Sequence, residues 1–217
     1  YGRVLGAAGG AFTVTGTAAS LLYSRRLGAA SGSVDITGTA ATLARSRILA
    51  AESGAVVVTG TAAALTYSRV LGAASGSFVV TGTDAALQYG RTLPAVSGAV
   101  GITGTAAGLQ YGRVLTASSG TWTITGTDAD LIYTPVAGGY TLSCASGSFV
   151  VTGAAASLLY GRTLGATAGA WSITGTAAAL TRGYRLDASS GALSIAGTAA
   201  SLQRSRIMQA ASGSLAI

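Results

Sequence analysis

Large apolar residues recur along the chain in short alternating bursts, and the bursts themselves repeat. The stretch Gly76-Ser77-Phe78-Val79-Val80-Thr81-Gly82-Thr83-Asp84-Ala85-Ala86-Leu87-Gln88-Tyr89-Gly90-Arg91-Thr92-Leu93-Pro94-Ala95-Val96-Ser97 is one copy of a 22-residue unit. Its opening glycine falls at Gly10, Gly32, Gly54, Gly76, Gly98, Gly120, Gly147, Gly169, Gly191 and Gly213. Every step is 22 except that from Gly120 to Gly147, which is 27, so one unit carries five extra residues. With that glycine as position 0, positions 2 and 4 hold Phe78 and Val80, Trp122 and Ile124, or Trp171 and Ile173. Position 3 varies freely through Thr13, Asp35, Val57, Gly101 and Ser172. Alternation with β-branched filling predicts a half-buried strand over positions 1 to 5.

Position 6 is glycine in every unit, from Gly16 to Gly197. It predicts a bend where the backbone needs a positive φ or close approach. A second strand is predicted over positions 8 to 13, with Ala85 and Leu87 and their equivalents facing inward. Leucine at position 17 and alanine at position 19 then resume an apolar face, before an Ala-Ser-Gly-rich turn closes the unit. The five-residue insertion lies within Thr134-Pro135-Val136-Ala137-Gly138-Gly139. Insertions are accepted at exposed turns rather than inside paired strands. Position 14 is therefore a predicted corner, giving three short strands per unit.

Residues 1–217 read as a single repeat array of about ten units. The fold class is all-β, as a parallel β-helix (β-solenoid) with 22-residue coils in which like residues stack at ~4.8 Å. The alternative is an antiparallel meander with strands at positions 1 to 5 and 8 to 18. It has one electrostatic attraction, because a solenoid places the position-15 arginines ~4.8 Å apart, costing ~0.9 kcal/mol per neighbour at bulk-water dielectric. No membrane span is expected, since the uncharged runs are rich in Gly, Ser and Thr, and the first strand is too short for a transmembrane barrel.

Composition narrows the chemistry. Histidine, lysine and asparagine are absent, and 13 arginines face six acids, for a net charge of +7. The chain is too apolar for a disordered polar tract. Cys144 is the single cysteine, which rules out an intrachain disulfide, and it stands where other units carry alanine, as a small buried filler. The chain starts at position 13 and ends at position 4, with no initiator Met, signal peptide or polar capping segment. The expectation is a window from a longer array.

Without histidine there is no Ser-His-Asp triad and no imidazole ligand, and one cysteine makes no zinc site. The glycine-rich turns lack the Gly-Lys-[Ser/Thr] ending of a phosphate loop, so no cofactor is expected. Asp128 and Asp130 lie two apart on one strand, and Asp84 falls two coils below Asp128 in a solenoid. Such carboxylates are conceivable in glycoside hydrolysis, as in tailspike-type polysaccharide depolymerases. Solvated surface substitution is the plainer reading, and no catalytic or metal residue is assigned.

Three surface features remain. Thr-Gly-Thr pairs Thr15 with Thr17, Thr37 with Thr39, Thr59 with Thr61, Thr81 with Thr83, and Thr103 with Thr105. Stacked threonine rows are similar to those of ice-binding solenoids. Tyr-x-Arg places Tyr23, Tyr67, Tyr89 and Tyr111 beside Arg25, Arg69, Arg91 and Arg113, with Arg47 in the same row. Such a stripe suits glycans or other anionic polymers, with nucleic acid the less expected partner. The plainer role for these arginines is to cover apolar surface and pair with a neighbouring chain. Outward apolar residues (Val57, Val79, Val150, Leu22, Ile132, Leu159) point to lateral burial against other chains.

The [Gly-Ser]-x-x-[Ile/Val]-Thr-Gly-Thr-Ala-Ala-x-Leu-x-Tyr-x-Arg-x-Leu-x-Ala unit resembles repeats of phage and prophage virion proteins of proteobacteria. Leu131-Ile132-Tyr133-Thr134-Pro135 with Gly138-Gly139-Tyr140-Thr141-Leu142 is similar to a variant repeat of that group. The resemblance implies a tail-associated or fibrous role and carries over no site residues. The expected function is a non-enzymatic structural protein that self-associates into an extracellular or virion-associated fibre. The alternatives are an adhesin or ice-binding solenoid acting through its Thr or Tyr/Arg rows, and the depolymerase.

Overall fold

The computed structural model describes the whole chain apart from residues 1–3, 24, 46, 68, 90–91, 112–113, 134–140, 161–162, 183–184, 204–206, 211 and 217. Three strands make each turn. In the first full cycle these are Ala11–Thr15, Ala18–Tyr23 and Arg26–Ala29. Strands consecutive in the chain never pair. Each instead joins its counterpart one unit away, building three sheets of ten, ten and nine strands. Sheet I takes positions 16 to 19, sheet II positions 1 to 5, and sheet III positions 8 to 13. All pairings are parallel and in register by unit position: Phe78 lies between Val56 and Val100, and Leu87 between Leu65 and Leu109. The fold is a parallel β-solenoid. The antiparallel meander is thereby excluded, because hairpin-joined neighbours would have to share a sheet.

Alternation within the strands decides what lies inside. Sheet II strands such as Ala55–Thr59 and Thr121–Thr125 bury positions 2 and 4 and leave positions 1, 3 and 5 outward. In sheet III the alanine of position 9 and the leucine of position 11 are buried, as at Ala85 and Leu87. Sheet I contributes Leu27 and Ala29 with no exposed surface. These side chains form one hydrophobic cluster that runs from Ala7 to Ile195. Parallel sheets need cover on both sides of the backbone ladder, and here each sheet's inner face is covered by the other two.

The corner glycines are required by close approach. None of them adopts the left-handed backbone conformation that favours glycine. A Cβ placed on Gly76 would overlap the carbonyl oxygen of Gly54 and sit 3.0 Å from the Cβ of Ala51; on Gly82 it would overlap the Gly60 carbonyl and sit 3.2 Å from the Cβ of Ala63. Most corner glycines thus nest against an alanine of the coil before them, Gly169 against Cys144 instead, while Gly10 and Gly16 of the first coil meet nothing within 4 Å. This accounts for position 0 together with position 19, and for position 6 together with position 9. The ladder continues through both corners: Gly38 N donates to Thr59 O at 3.0 Å, Ala40 N to Thr17 O at 2.9 Å, and Ser53 N to Ala30 O at 2.7 Å.

The third corner, at position 14, and the inserted residues 134–139 lie outside the described residues. The flanking strands Asp128–Tyr133 and Thr141–Cys144 keep the same parallel register as everywhere else, with Tyr133 opposite Tyr111 and Thr141 opposite Val114. Within this longer coil and in the two coils that follow it the core holds its largest side chains. Trp122, Phe149 and Trp171 stack face to face along the axis, with centroids 6.1 and 4.0 Å apart and interplanar angles of 8° and 3°. Their indole nitrogens reach across the interior to sheet I, where Trp171 Nε1 donates to Gly165 O at 3.2 Å and Trp122 Nε1 to Thr116 O at 3.4 Å.

Candidate functional site

Because every coil repeats the last, each outward side chain belongs to a row parallel to the solenoid axis. The threonines form two such rows. Position 5 closes the sheet II strands, where Thr15, Thr37 and Thr103 are exposed and Thr59 and Thr81 half-buried. Position 7 stands in the corner beyond the glycine, and Thr17, Thr39, Thr61, Thr83 and Thr105 are all exposed there. The two threonines of each Thr-Gly-Thr therefore line the two sides of a corner and do not share a strand.

The arginines Arg25, Arg47 and Arg69 stand exposed one above another where the chain passes from sheet III to sheet I. Arg91 and Arg113 lie outside the described residues, as do the side chains of Tyr23, Tyr67, Tyr89 and Tyr111. The backbones of these tyrosines end the sheet III strands in a common register, with Tyr89 between Tyr67 and Tyr111. Beside the arginine row, Arg26 pairs with Glu52 of the next coil at 3.4 Å, both well exposed. An exposed pair of this kind contributes at most ~1 kcal/mol.

The carboxylates Asp84, Asp128 and Asp130 share the outer face of sheet III. Asp84 and Asp128 both align with Ala106, on opposite sides of it. They are thus two strand spacings apart, ~9.6 Å along the axis. Asp130 is half-buried and accepts a hydrogen bond from the Ser157 hydroxyl one coil on. No cluster of three or more His, Cys, Asp or Glu exists among the described residues.

A row that sequence reasoning did not single out runs along the Ala-Ser-Gly corner. Ser53, Ser146 and Ser190 at position 21 each donate a side-chain hydrogen bond at 2.8 Å to a carbonyl of the preceding coil: Ala30, Ser118 and Thr167. With the glycines of position 0 between them and position 1, these serines line an open groove that continues along the corner from Gly9 to Ser214. The signal was the serine that precedes every opening glycine except Gly10 and Gly169. Its hydroxyls are turned toward the neighbouring coil, so the row first of all ties coil to coil.

Cys144 is fully buried at position 19, its thiol 2.6 Å from the Gly147 carbonyl. Burial pushes its pKa up, the larger effect, opposed by a weaker backbone hydrogen bond at Ala170. A buried, protonated thiol is neither a nucleophile nor a metal ligand. It fills space, as the sequence predicts.

The chain has no helix long and apolar enough to cross a membrane among the described residues. No protein-family model, curated protein or solved structure matches the chain.

Proposed function

We propose that this protein is a structural rod that acts without catalysis and self-associates into an extracellular or virion-associated fibre. The observation that supports this reading is the unbroken axial repetition. One core cluster runs the length of the chain, and each coil presents the next with the same three parallel edges. Ten strands at the ~4.8 Å spacing make a rod about 45 Å long. Its regular features specify stacking, while its surface is poor in charge and rich in small and apolar side chains. The likeness of the unit to virion repeats agrees with a tail-associated role. Negative-stain microscopy of the purified chain tests the reading: filaments or laterally paired rods are expected, and dispersed monomers at high concentration would overturn it.

A second reading has its own observation. Arg25, Arg47 and Arg69 are aligned and exposed on one corner, which suits a linear anionic glycan lying along the axis. Binding to dextran sulfate, weakened by salt and by the triple Arg→Gln substitution, is the expected result if that corner is adhesive. Retention unchanged in the triple variant would remove it. The depolymerase reading rests on Asp84, Asp128 and Asp130 alone, and undiminished polysaccharide cleavage by an Asp128→Asn, Asp130→Asn variant would exclude those two acids as catalysts.

A further inference from the structure

The three outer faces of the solenoid are not equivalent. Sheet III carries Asp84, Asp128 and Asp130 together with long or bulky groups such as Gln88, Gln110 and Leu22, the last 76% exposed. Sheet I and its margins carry Arg26, Glu52, Pro94 and the exposed Ile48, Val70 and Val96. The outward positions of sheet II hold nothing larger than Thr, Val or Asp. They run through Ala, Ser, Thr and Val with Gly101 and one charge, Asp35, whose carboxylate is held by the Ser33 hydroxyl at 2.7 Å. The face is level and, apart from that end, uncharged.

We propose that sheet II is where two copies of this chain meet, packed face to face and antiparallel; this rests on the fibre reading above and names its lateral contact. Three observations carry it. First, charge placement: sheet II is the side of the solenoid that the arginine corner does not border, since Arg25, Arg47 and Arg69 stand between sheets III and I. Contact through sheet II keeps the two positive corners as far apart as the cross-section allows, whereas contact through either other sheet places such a corner at its rim. Second, size: ten strands ~4.8 Å apart and five residues at ~3.3 Å give roughly 790 Å² on each copy, close to the ~800 Å² per partner of a stable interface. Third, shape: small side chains let two sheets approach to the ~10 Å of a sandwich without leaving a long polar group to be desolvated. The antiparallel arrangement puts the two Asp35 carboxylates at opposite ends.

Sedimentation velocity over a range of concentrations tests this on the intact chain. A Val57→Lys, Val79→Lys variant puts two ammonium groups on the third and fourth of the ten strands of the face, while Gln88→Lys, Gln110→Lys adds the same charge to sheet III. Both are checked for native far-ultraviolet circular dichroism. Thr59→Lys, Thr103→Lys at the margin of sheet II serves if the valine variant does not fold. The expected result is association of the parent chain, weakened at least tenfold by the sheet II lysines and not by those on sheet III. Association that ignores the sheet II charges would overturn this face and leave the fibre reading standing. A parent chain that stays monomeric throughout would remove both. Monomers that facet growing ice crystals would assign the level face to ice instead.

Discussion

The carbonyl oxygen of Gly60, one coil earlier, occupies the place where a Cβ of Gly82 would be. Gly108, in contrast, faces open space on the outer side of sheet III, where a methyl group would meet nothing within 4 Å. The two glycines are chemically identical and energetically opposite. Gly82→Ala is expected to destabilise the rod by ~1–3 kcal/mol, the usual cost of overpacking. Gly108→Ala is expected to be neutral or to stabilise by up to ~1 kcal/mol, by restricting the unfolded chain. Urea midpoints of the two variants check this, and equal shifts would contradict the close-approach account.

The aromatic stack gives a second expectation. Trp171→Ala removes the upper ring of the Trp122–Phe149–Trp171 column and a buried indole hydrogen bond. A loss of ~3–5 kcal/mol is expected. Trp171→Leu, which copies Leu193 one coil later, should cost clearly less. Thermal melts followed by near-ultraviolet circular dichroism separate the two.

Cys144 sets a pH dependence. Burial holds its folded pKa above the ordinary thiol value. The unfolded thiol therefore loses its proton first, at about pH 8.5, and the native state binds more protons than the unfolded one. Stability must then fall as pH rises above that point. Cys144→Ala, which restores the residue common at position 19, should remove this part of the alkaline slope. Parallel slopes for parent and variant between about pH 8 and 10, the range spanning the unfolded thiol's titration, would refute the assignment.

The arginine corner makes the rod sensitive to salt. Arg25, Arg47 and Arg69 are held at strand spacing, with a repulsion of ~0.9 kcal/mol per adjacent pair at bulk-water dielectric before screening. Added salt should raise the melting temperature of the parent chain. The rise should shrink in an Arg25→Gln, Arg47→Gln, Arg69→Gln variant, and a rise of equal size in both would show that the row carries no strain.

Much of this architecture was legible in the repeat itself. The alternation around Phe78 and Val80 located sheet II, Ala85 with Leu87 located sheet III, and Cys144 in an alanine column announced a buried filler. The parallel solenoid was the expected fold but the period alone did not decide it, because 22 residues suit hairpins as well as coils; the in-register pairing of Phe78 with Val56 and Val100 does. The glycine of position 6 was compatible with either a positive φ or a close contact, and only the carbonyl beneath Gly82 distinguishes them. The stacking of Phe149 on Trp171 was implicit once like positions are known to superpose. The difference between the three outer faces emerges only when corners are assigned, since Arg25 and Val57 have no sequence relation that says they lie on opposite sides.

The longer coil between Gly120 and Gly147 has a genetic corollary. Its neighbours remain in register across the added residues, so the lattice tolerates extra chain between Tyr133 and Thr141 while a one-residue slip within a strand would turn every inward side chain outward. Gain or loss of a whole unit by recombination between repeats would instead lengthen or shorten the rod by one ~4.8 Å step with every remaining contact preserved. Length in this protein is a heritable count, adjustable in integers.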